Sequence, residues 1–233
     1  MPAPVVSLII PTQRRPKGLS VALRSAFAQQ GVDPAELELV VVDNDQVPSA
    51  QALVEQAARE APFPVAYVHE PEPGVANARN AAMARATGRF VAFLDDDEEA
   101  PPHWLAGLIA VQQAHQADAV FGPVRGRAPQ GVVDHRDYLE WFFSRPGPET
   151  AGPIDGYFGC GNSLVRRAAM PDPDRPFSSA RNHIGGEDDL LFGQMRSAGA
   201  RFAWAPEAWV WEDPNPDRLT LAYTIPRAFA YGQ

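Results

Sequence analysis

The 233-residue sequence predicts an α/β protein with a Rossmann-like, mixed but mainly parallel sheet flanked by helices. Through the first half of the chain, short apolar runs alternate with segments of helical spacing, which is typical of βαβ units. The apolar runs are continuous rather than alternating, and this indicates strands that are covered on both faces. Because crossovers between parallel strands are right-handed, we expect one open sheet.

Four strands and three helices are predicted before residue 96. The strands are 5–11, 37–44, 65–70 and 89–95, and the helices are 18–30, 49–60 and 75–88. Ser49 is expected to be the N-cap of the second helix, because a serine oxygen can accept a bond from a free backbone N–H of the first turn. Gly88 is expected to end the third helix from a left-handed C′ position.

The second half of the chain is less regular. Strands are expected at 117–124, at 162–167 and, on either side of a turn, within 201–213. Helices are expected at 134–143, 187–199 and 217–231. Because there are no repeats or linkers, the chain 1–233 is predicted to be one domain, with a regular half that ends at about residue 98.

The composition excludes several classes of function. The hydrophobic content of 45% is enough for a core, and the net charge of −9 argues against a nucleic-acid partner, because phosphate backbones attract basic surfaces. Cys160 is the only cysteine, so no intrachain disulfide is expected. No apolar run reaches about 18 residues, and the N-terminus lacks the pattern of a signal peptide. We therefore expect a cytoplasmic protein.

Three aspartates follow the fourth predicted strand, in the stretch FVAFLDDDEEAPPHW at 90–104. Carboxylates this close together repel one another, so a positive partner is expected nearby. Asp95 and Asp97 offer hard oxygen ligands that suit Mg²⁺ or Mn²⁺, and such an ion usually completes its shell with substrate phosphates. A solvated acidic turn is the alternative.

Polar residues also end the other predicted strands, and the ligands of open α/β sheets bind at that edge. Pro11 and Thr12 end the first strand. Asp43 ends the second strand, where a carboxylate suits a nucleotide base or a ribose. A helix or turn cap is the alternative for Asp43.

The start of the third predicted helix, in EPGVANARNAA at 72–82, has the composition of an anion site. Backbone N–H groups at a helix N-terminus favour a negative ligand. Asn77, Arg79 and Asn80 lie in the first turns, and an arginine there can bind a phosphate through two N–H groups. A plain capped helix is the alternative.

A glycine-rich loop and a second acidic cluster lie further along the chain. In GYFGCGN at 156–162, three glycines allow close approach of a ligand to the backbone, and Cys160 is expected to be a small buried residue. In GGEDDLLF at 185–192, one carboxylate is a candidate general base, with stabilisation of the helix dipole as the alternative. Glu212 ends a late strand and is either a metal ligand or an exposed strand end.

In their order along the chain, these segments resemble the family 2 glycosyltransferases of GT-A fold. The resemblance rests on VSLIIPTQRR, VVVDN, EPGVANARN, FLDDDE, GCGN and GGEDDLLF, and it spans about residues 5–230. VDND, FLDDDE and GGEDD are most similar to the branch of succinoglycan-type exopolysaccharide glucosyltransferases. The resemblance implies transfer of a sugar, with inversion, from a nucleotide diphosphate sugar (a UDP-sugar is favoured) to a saccharide or lipid-linked saccharide acceptor. It implies Mn²⁺ or Mg²⁺ as the cofactor.

The resemblance also implies roles for individual residues. Residues 1–98 would form the nucleotide-sugar-binding half and 99–233 the acceptor-binding half, with Asp188 as the catalytic base. The residues expected to contact the donor are Pro11, Thr12, Arg14, Asp43, Asn77, Arg79, Asn80, Asp95 and Asp96. The residues expected to hold the metal are Asp97, Asp95 and Glu212. The residues expected near the acceptor and the donor sugar are Gly161, Asn162, Glu187 and Asp189.

The sequence departs from the family pattern at two points. Glu212 stands where many relatives carry a metal-binding histidine. The Q-x-x-R-W motif and the membrane helices of processive synthases are missing, which favours addition of a single sugar. Peripheral contact with the inner face of a membrane is compatible with this expectation.

Two alternatives stay open at this point. One is a catalytically degenerate domain that binds a sugar nucleotide or a partner. The other is a haloacid-dehalogenase-type phosphatase, although Glu99 breaks the motif of that class. A dinucleotide-binding dehydrogenase is disfavoured because PTQRRPKG, and not G-x-G-x-x-G, follows the first strand.

Overall fold

The structure is a computed structural model that describes residues 5–132, 134–182 and 185–230. The strands are β1 (Val6–Thr12), β2 (Leu37–Asp43), β3 (Val65–His69), β4 (Phe90–Phe93), β5 (Glu98–Glu99), β6 (Ala119–Phe121), β7 (Val124–Gly126), β8 (Gly152–Ile154), β9 (Ser163–Arg166), β10 (Phe202–Trp204) and β11 (Val210–Glu212). Eight of them form a central sheet in the order β3–β2–β1–β4–β9–β6–β10–β8. β9 and β8 run antiparallel to their neighbours and the other pairs are parallel. The prediction of a mixed, mainly parallel α/β sheet is confirmed.

Helices cover both faces of this sheet. They are α1 (Pro16–Phe27), α2 (Gln51–Ala58), α3 (Val75–Arg85), α4 (Trp104–His115), α5 (Arg136–Phe142), α6 (Glu187–Ser197) and α7 (Leu221–Ala230). Successive side chains of a strand point to opposite faces, and β1 follows this rule: Leu8 and Ile10 pack with Leu23 of α1, whereas Ile9 packs with Met83 of α3. The main hydrophobic core is therefore split into two layers by the sheet.

The register of the parallel strands gathers their carboxyl ends at one edge. Thr12 of β1 lies opposite Asp43 of β2, and Ile9 of β1 lies opposite Phe93 at the end of β4. The chain that leaves β4 enters the three aspartates at this edge. The strand ends that the sequence singled out therefore do meet.

A second, three-stranded sheet was not predicted. It has the order β5–β11–β7, with β11 antiparallel to β5 and parallel to β7. The predicted pair of strands within 201–213 is confirmed as β10 and β11, but the two strands join different sheets. The small sheet places Glu98 opposite Glu212, beside the acidic loop.

Two predicted helix boundaries are wrong. The second helix starts at Gln51 with Ala50 at the N-cap position, and the Ser49 hydroxyl instead donates to Asp43 over 3.4 Å. The third helix ends at Arg85 with an extended C-cap. Gly88 lies beyond the helix, where an added Cβ would come within 2.6 Å of the Ser7 backbone nitrogen. A glycine at this position therefore lets the chain pass close to β1.

Within the described part of the chain, no helix is both long enough and apolar enough to cross a bilayer.

Candidate active site

A cleft of about 290 Å³ opens at the carboxyl edge of the central sheet. Pro11 and Thr12, at the end of β1, line one side of it. Asp95, Asp96 and Asp97 line another side. The predicted convergence of the first strand end and the acidic loop is therefore present in the structure.

Arg15 is the positive partner of the acidic loop. Its Nη1 atom donates to Asp96 Oδ1 over 3.1 Å and also to Asp97 Oδ2. Arg14, the residue expected to line the nucleotide, points elsewhere: it binds Asp45 over 2.7 Å, and its side chain is 68% exposed. Arg14 has a left-handed φ of 55°, which turns the two neighbouring arginines toward different surroundings.

Asp96 is buried and anchored to β1. The Thr12 hydroxyl donates to Asp96 Oδ2 over 2.7 Å. Burial raises the pKa of Asp96 to about 6, although the Arg15 charge and the Thr12 hydroxyl act in the opposite direction. Asp96 therefore helps to hold the shape of the acidic loop.

Arg79 joins the two acidic clusters of the sequence. Its side chain is 6% exposed, its Nη1 donates to Glu187 Oε1 over 2.6 Å, and its Nη2 lies 3.5 Å from Asp95 Oδ1. Its Nε atom is buried and has no hydrogen-bond partner among the described residues. Arg79 lines the cleft as predicted, but two carboxylates already occupy its guanidinium group. Glu187, expected near the sugar, is buried against Arg79 instead.

Asp188 lies in the first turn of α6, beside the glycine-rich loop. Its Oδ2 atom accepts a hydrogen bond of 3.1 Å from the Cys160 backbone N–H, and Oδ1 accepts one of 2.9 Å from Asp189. Burial raises the pKa of Asp95 and the Arg79 charge lowers it. The charges of Asp97 and Asp188 add to the increase. Asp188 is therefore close to the acidic loop, whereas the Asp189 residue is exposed.

Two groups that the sequence reasoning missed lie near the acidic loop, the buried Glu98 and the partly buried Arg145. Glu98 Oε2 accepts a hydrogen bond of 2.8 Å from the Asp95 backbone N–H, and burial raises the pKa of Glu98 well above its usual value. Arg145 donates to the Gly161 carbonyl over 2.7 Å, and its charge acts on Glu212. The stretch DDDEE contained the signal for Glu98, but no local pattern pointed to Arg145.

Gly161 brings the glycine-rich loop against the acidic loop. An added Cβ would lie 2.8 Å from Asp95 Oδ2 and 3.0 Å from Glu98 Oε1. No larger residue fits there without movement of a carboxylate. The contact puts Gly161 beside Asp95, and its closeness to a bound sugar stays a prediction.

Four polar residues expected at the ligand have structural partners instead. Asp43 is fully buried, and it accepts bonds from Ala50 N over 2.7 Å and from Tyr67 over 2.9 Å. The Asn77 side chain donates over 3.2 Å to the carbonyl of Pro73. The Asn80 side chain binds both backbone groups of Phe177. A polar residue at a strand or helix end satisfies backbone groups as readily as it binds a ligand.

Asn162 is the fourth of these residues. Its φ is 53° and it is fully buried. It accepts a bond of 2.7 Å from the Trp104 indole and donates to the carbonyls of Pro123 and Ala208. It therefore ties α4 and the start of β9 to two loops, and it is not among the residues that line the cleft.

The chemistry of the acidic loop fits a hard divalent cation, but the expected three-ligand set is not assembled. Among the described residues, no three His, Cys, Asp or Glu side chains are arranged to hold a metal ion. Arg15 is bound to Asp97 and Arg79 lies against Asp95, while Glu212 belongs to the small sheet. Two carboxylates suffice for a cation that takes its other ligands from a diphosphate. Asp95 and Asp97 are the two residues that would hold such a cation.

Comparison with known proteins defines the class of this fold and site. Residues 7–172 match the family described as Glycosyl transferase family 2. The chain is 40% identical over 223 residues to the succinoglycan biosynthesis protein ExoM of Rhizobium meliloti, a match that covers 95% of this chain and 71% of ExoM. The chain belongs to glycosyl transferase family 2. The phosphatase alternative is thereby removed.

More distant relatives are longer proteins. A match of 29% identity over 126 residues to the poly(ribitol-phosphate) β-N-acetylglucosaminyltransferase TarS of Staphylococcus aureus covers 54% of this chain and 22% of TarS. An uncharacterised glycosyltransferase of Nostoc is 31% identical over 135 residues, and the match covers 58% of this chain and 37% of that protein. The chain spans well under two thirds of these relatives.

Solved structures agree on the fold. The mannosyltransferase PcManGT from Pyrobaculum calidifontis, in complex with GDP-Man and Mn²⁺, matches 97% of this chain and 61% of its own with a TM-score of 0.71 and 23% identity. TarS 1–349 of S. aureus in complex with UDP-GlcNAc matches 90% of this chain and 58% of its own with a TM-score of 0.63 and 22% identity. At these identities the likeness concerns the fold alone, and it confirms the predicted GT-A fold.

Proposed function

We propose that the chain is an inverting, metal-dependent glycosyltransferase that moves one sugar from a nucleotide diphosphate sugar to an acceptor hydroxyl in exopolysaccharide biosynthesis. The observation that carries this proposal is the Arg79 bridge, which joins Asp95 of the first acidic cluster to Glu187 of the second, the residue that precedes Asp188. The candidate base is thereby tied through one arginine to the loop that is proposed to bind the leaving group.

The donor half of the site is suited to a diphosphate. A divalent cation held by Asp95 and Asp97 would neutralise the charge that develops on the leaving diphosphate. Arg15 and Arg218 add positive charge to the same cleft, and Arg218 Nη1 lies 4.0 Å from Asp97 Oδ2. Thr12 and Pro11 form the wall against which the nucleoside would lie.

Asp188 is the proposed general base. Its carboxylate takes the proton of the acceptor hydroxyl as that oxygen forms a bond to the anomeric carbon and the bond to the diphosphate breaks. Hydrogen bonds from the backbones of Cys160 and Asp189 fix the orientation of the carboxylate. A base on the side opposite the leaving group gives inversion at the anomeric carbon.

The donor is proposed to be a UDP-sugar, and the acceptor a saccharide or a lipid-linked saccharide. TarS 1–349 has been solved with UDP and with UDP-GlcNAc, and ExoM is a succinoglycan biosynthesis protein. PcManGT has been solved with GDP-Man, so the fold accepts more than one base. The choice of base needs a direct measurement.

Calorimetry tests the proposal. UDP, GDP and dTDP are each titrated into the protein with Mn²⁺ and without it. Tight binding of one nucleotide only when Mn²⁺ is present, lost in Asp97→Ala and kept in the surface variant Asp137→Asn, is the expected result. Binding of none of the three nucleotides under either condition would reject the donor site. Binding without any sugar transfer to a panel of acceptors would favour the catalytically degenerate domain.

A further inference from the structure

The two faces of β11 carry different chemistry. Val210 is fully buried, and Glu212 on the same face lies opposite Glu98 beside the catalytic cleft. Trp209 and Trp211 lie on the other face, because successive side chains of a strand alternate. Their rings pack edge to face with centroids 5.2 Å apart. The small sheet thus presents a tryptophan pair on the face turned away from the cleft.

A recess of about 370 Å³ lies between this pair and α1. Its walls include both tryptophan rings and, from the α1 segment, Arg24 and Ala28. Glu99 of β5, which pairs with Trp211 across the sheet, forms part of its rim. A volume of about 300 to 1,000 Å³ is typical of small-molecule sites, so the recess is large enough to hold a ligand.

The polar groups of the recess are not all used by the protein. Two fully buried indoles have partners: Trp104 donates to Asn162 over 2.7 Å and Trp204 donates to the Pro148 carbonyl over 2.7 Å. Within the described ranges, neither Trp209 nor Trp211 has such a partner, although a half-buried indole N–H usually finds one. Each of the two rings that line the recess therefore carries an N–H group without a partner in the described protein.

Glu99 supplies an acceptor next to these donors. Arg127 donates to Glu99 Oε2 over 2.6 Å, which fixes the carboxylate and leaves Oε1 for a ligand. The guanidinium group of Arg125 lies 4.0 Å from the Trp209 ring centroid and holds that ring in place. Fixed aromatic rings with adjacent donors and an acceptor match a pyranose, whose C–H face is apolar and whose rim carries hydroxyl groups.

We propose that the Trp209–Trp211 recess is a second saccharide-binding site, separate from the catalytic cleft, for a neutral oligosaccharide. The rings are uncharged, and the charges of Arg24 and Glu99 in the lining offset each other, which favours a neutral ligand over an anionic one. The sugar stacks on the tryptophan rings and its hydroxyls pair with the indole N–H groups and with Glu99.

A larger cavity adjoins the recess. Val21 lines it and also lines a cavity of about 750 Å³ that reaches Arg15 and Asp97. Arg127 spans the boundary, because it binds Glu99 on one side and Asp213 on the other. A saccharide in the recess therefore lies near this cavity, and its proposed role is to hold the distant units of an acceptor. That role rests on the proposed function, whereas saccharide binding does not.

The test uses saturation-transfer NMR and calorimetry with neutral hexasaccharides of glucose and mannose, in α- and β-linked forms. The expected result is saturable binding of at least one of them to the wild type, weakened at least tenfold in the double variant Trp209→Ala/Trp211→Ala. Trp141→Ala, which removes an indole that is 59% exposed on α5, is the matched control and should bind like the wild type.

A second variant protects the test against a loss of folding. Ala28→Arg fills the recess from an exposed position at the end of α1 and should also abolish binding. No saturable binding of any hexasaccharide to the wild type overturns the proposal, as does unchanged binding in both variants. Nucleotide binding is measured on the same samples. Hexasaccharide binding without nucleotide binding rejects only the donor site, and the reverse rejects only this recess.

Discussion

Arg79 Nη1 lies 2.6 Å from Glu187 Oε1, although 108 residues separate them in the sequence. The contact ties α3 to the first turn of α6, and the same guanidinium group faces Asp95. The position of Asp188 relative to the acidic loop is therefore set by one buried arginine.

Replacement of Arg79 by Met leaves the Glu187 carboxylate buried without a partner. We expect the free energy of unfolding to fall by about 3 to 5 kcal/mol, the usual cost of breaking a buried pair. Urea denaturation measures this change. The double variant Arg79→Met/Glu187→Gln should regain part of the loss. As a control, Arg24→Met removes an exposed guanidinium group that donates to the Ser20 hydroxyl, and it should change the free energy of unfolding much less than Arg79→Met does.

Asp188→Asn keeps a side-chain oxygen for the Cys160 N–H but removes the base. Turnover should fall by about 100- to 10,000-fold, the contribution typical of a general base, while the dissociation constant of the donor nucleotide stays within a factor of a few. Asp137→Asn is the matched control, since Asp137 also lies in the first turn of a helix. Loss of nucleotide binding in Asp188→Asn would contradict the assignment.

Gly161→Ala forces an added Cβ against Asp95 and Glu98. The carboxylate of Asp95 has to move, so we expect weaker metal-dependent nucleotide binding, by at least tenfold in calorimetry. Gly156→Ala is the control because nothing lies within 4 Å of its added Cβ. Equal affinities in the two variants would show that Asp95 does not take part in binding.

Asn162 combines a left-handed backbone with three buried hydrogen bonds. Asn162→Gly keeps the backbone but leaves buried polar groups unpaired, at about 1 to 3 kcal/mol each. Asn162→Ala adds strain at positive φ and should be less stable than the glycine variant. Comparing the denaturant midpoints of the two variants separates the loss of hydrogen bonds from the backbone strain. Equal midpoints would show that the alanine variant has no added strain.

Cys160 should react very slowly with thiol reagents. Burial raises the pKa of its thiol well above the usual value, and the nearby carboxylates act in the same direction, against Arg79. At pH 8 the thiolate fraction is therefore small and the sulfur is covered. Colourimetric labelling should be slow in the native protein and fast in denaturing urea. Fast labelling of the native protein would show that the glycine-rich loop opens.

The regular elements of the first half were predictable because their signals are local. The run at 5–11 corresponds to β1 and the run at 37–44 to β2, since continuous β-branched residues favour buried strands. α4 was missed because its sequence, WLAGLIAVQQAH, is apolar on most sides and gives little helical periodicity. The small sheet was missed because its strands are two or three residues long and find partners far away in the sequence.

The site was predictable only in part. The acidic loop and the second acidic cluster were located because acids directly after a strand or at a helix start are visible in the sequence. The choice of Asp188 as the base came from the family resemblance and stays a prediction. Arg15, and not Arg14, contacts the acidic loop because Arg14 has a left-handed backbone. The sequence contains no pattern that predicts this conformation. Asp43 and Asn80 looked like ligand contacts, but the structure uses them for backbone groups.

The acidic loop has its counter-charge built into the polypeptide. Arg15 donates to both Asp96 and Asp97, which follow it by 81 and 82 residues in the chain. Where such an internal cation is missing, an acidic or thiolate site often folds only after a metal arrives. We therefore expect the fold to form before its ligands bind, and the amount of folded protein not to depend on the supply of metal.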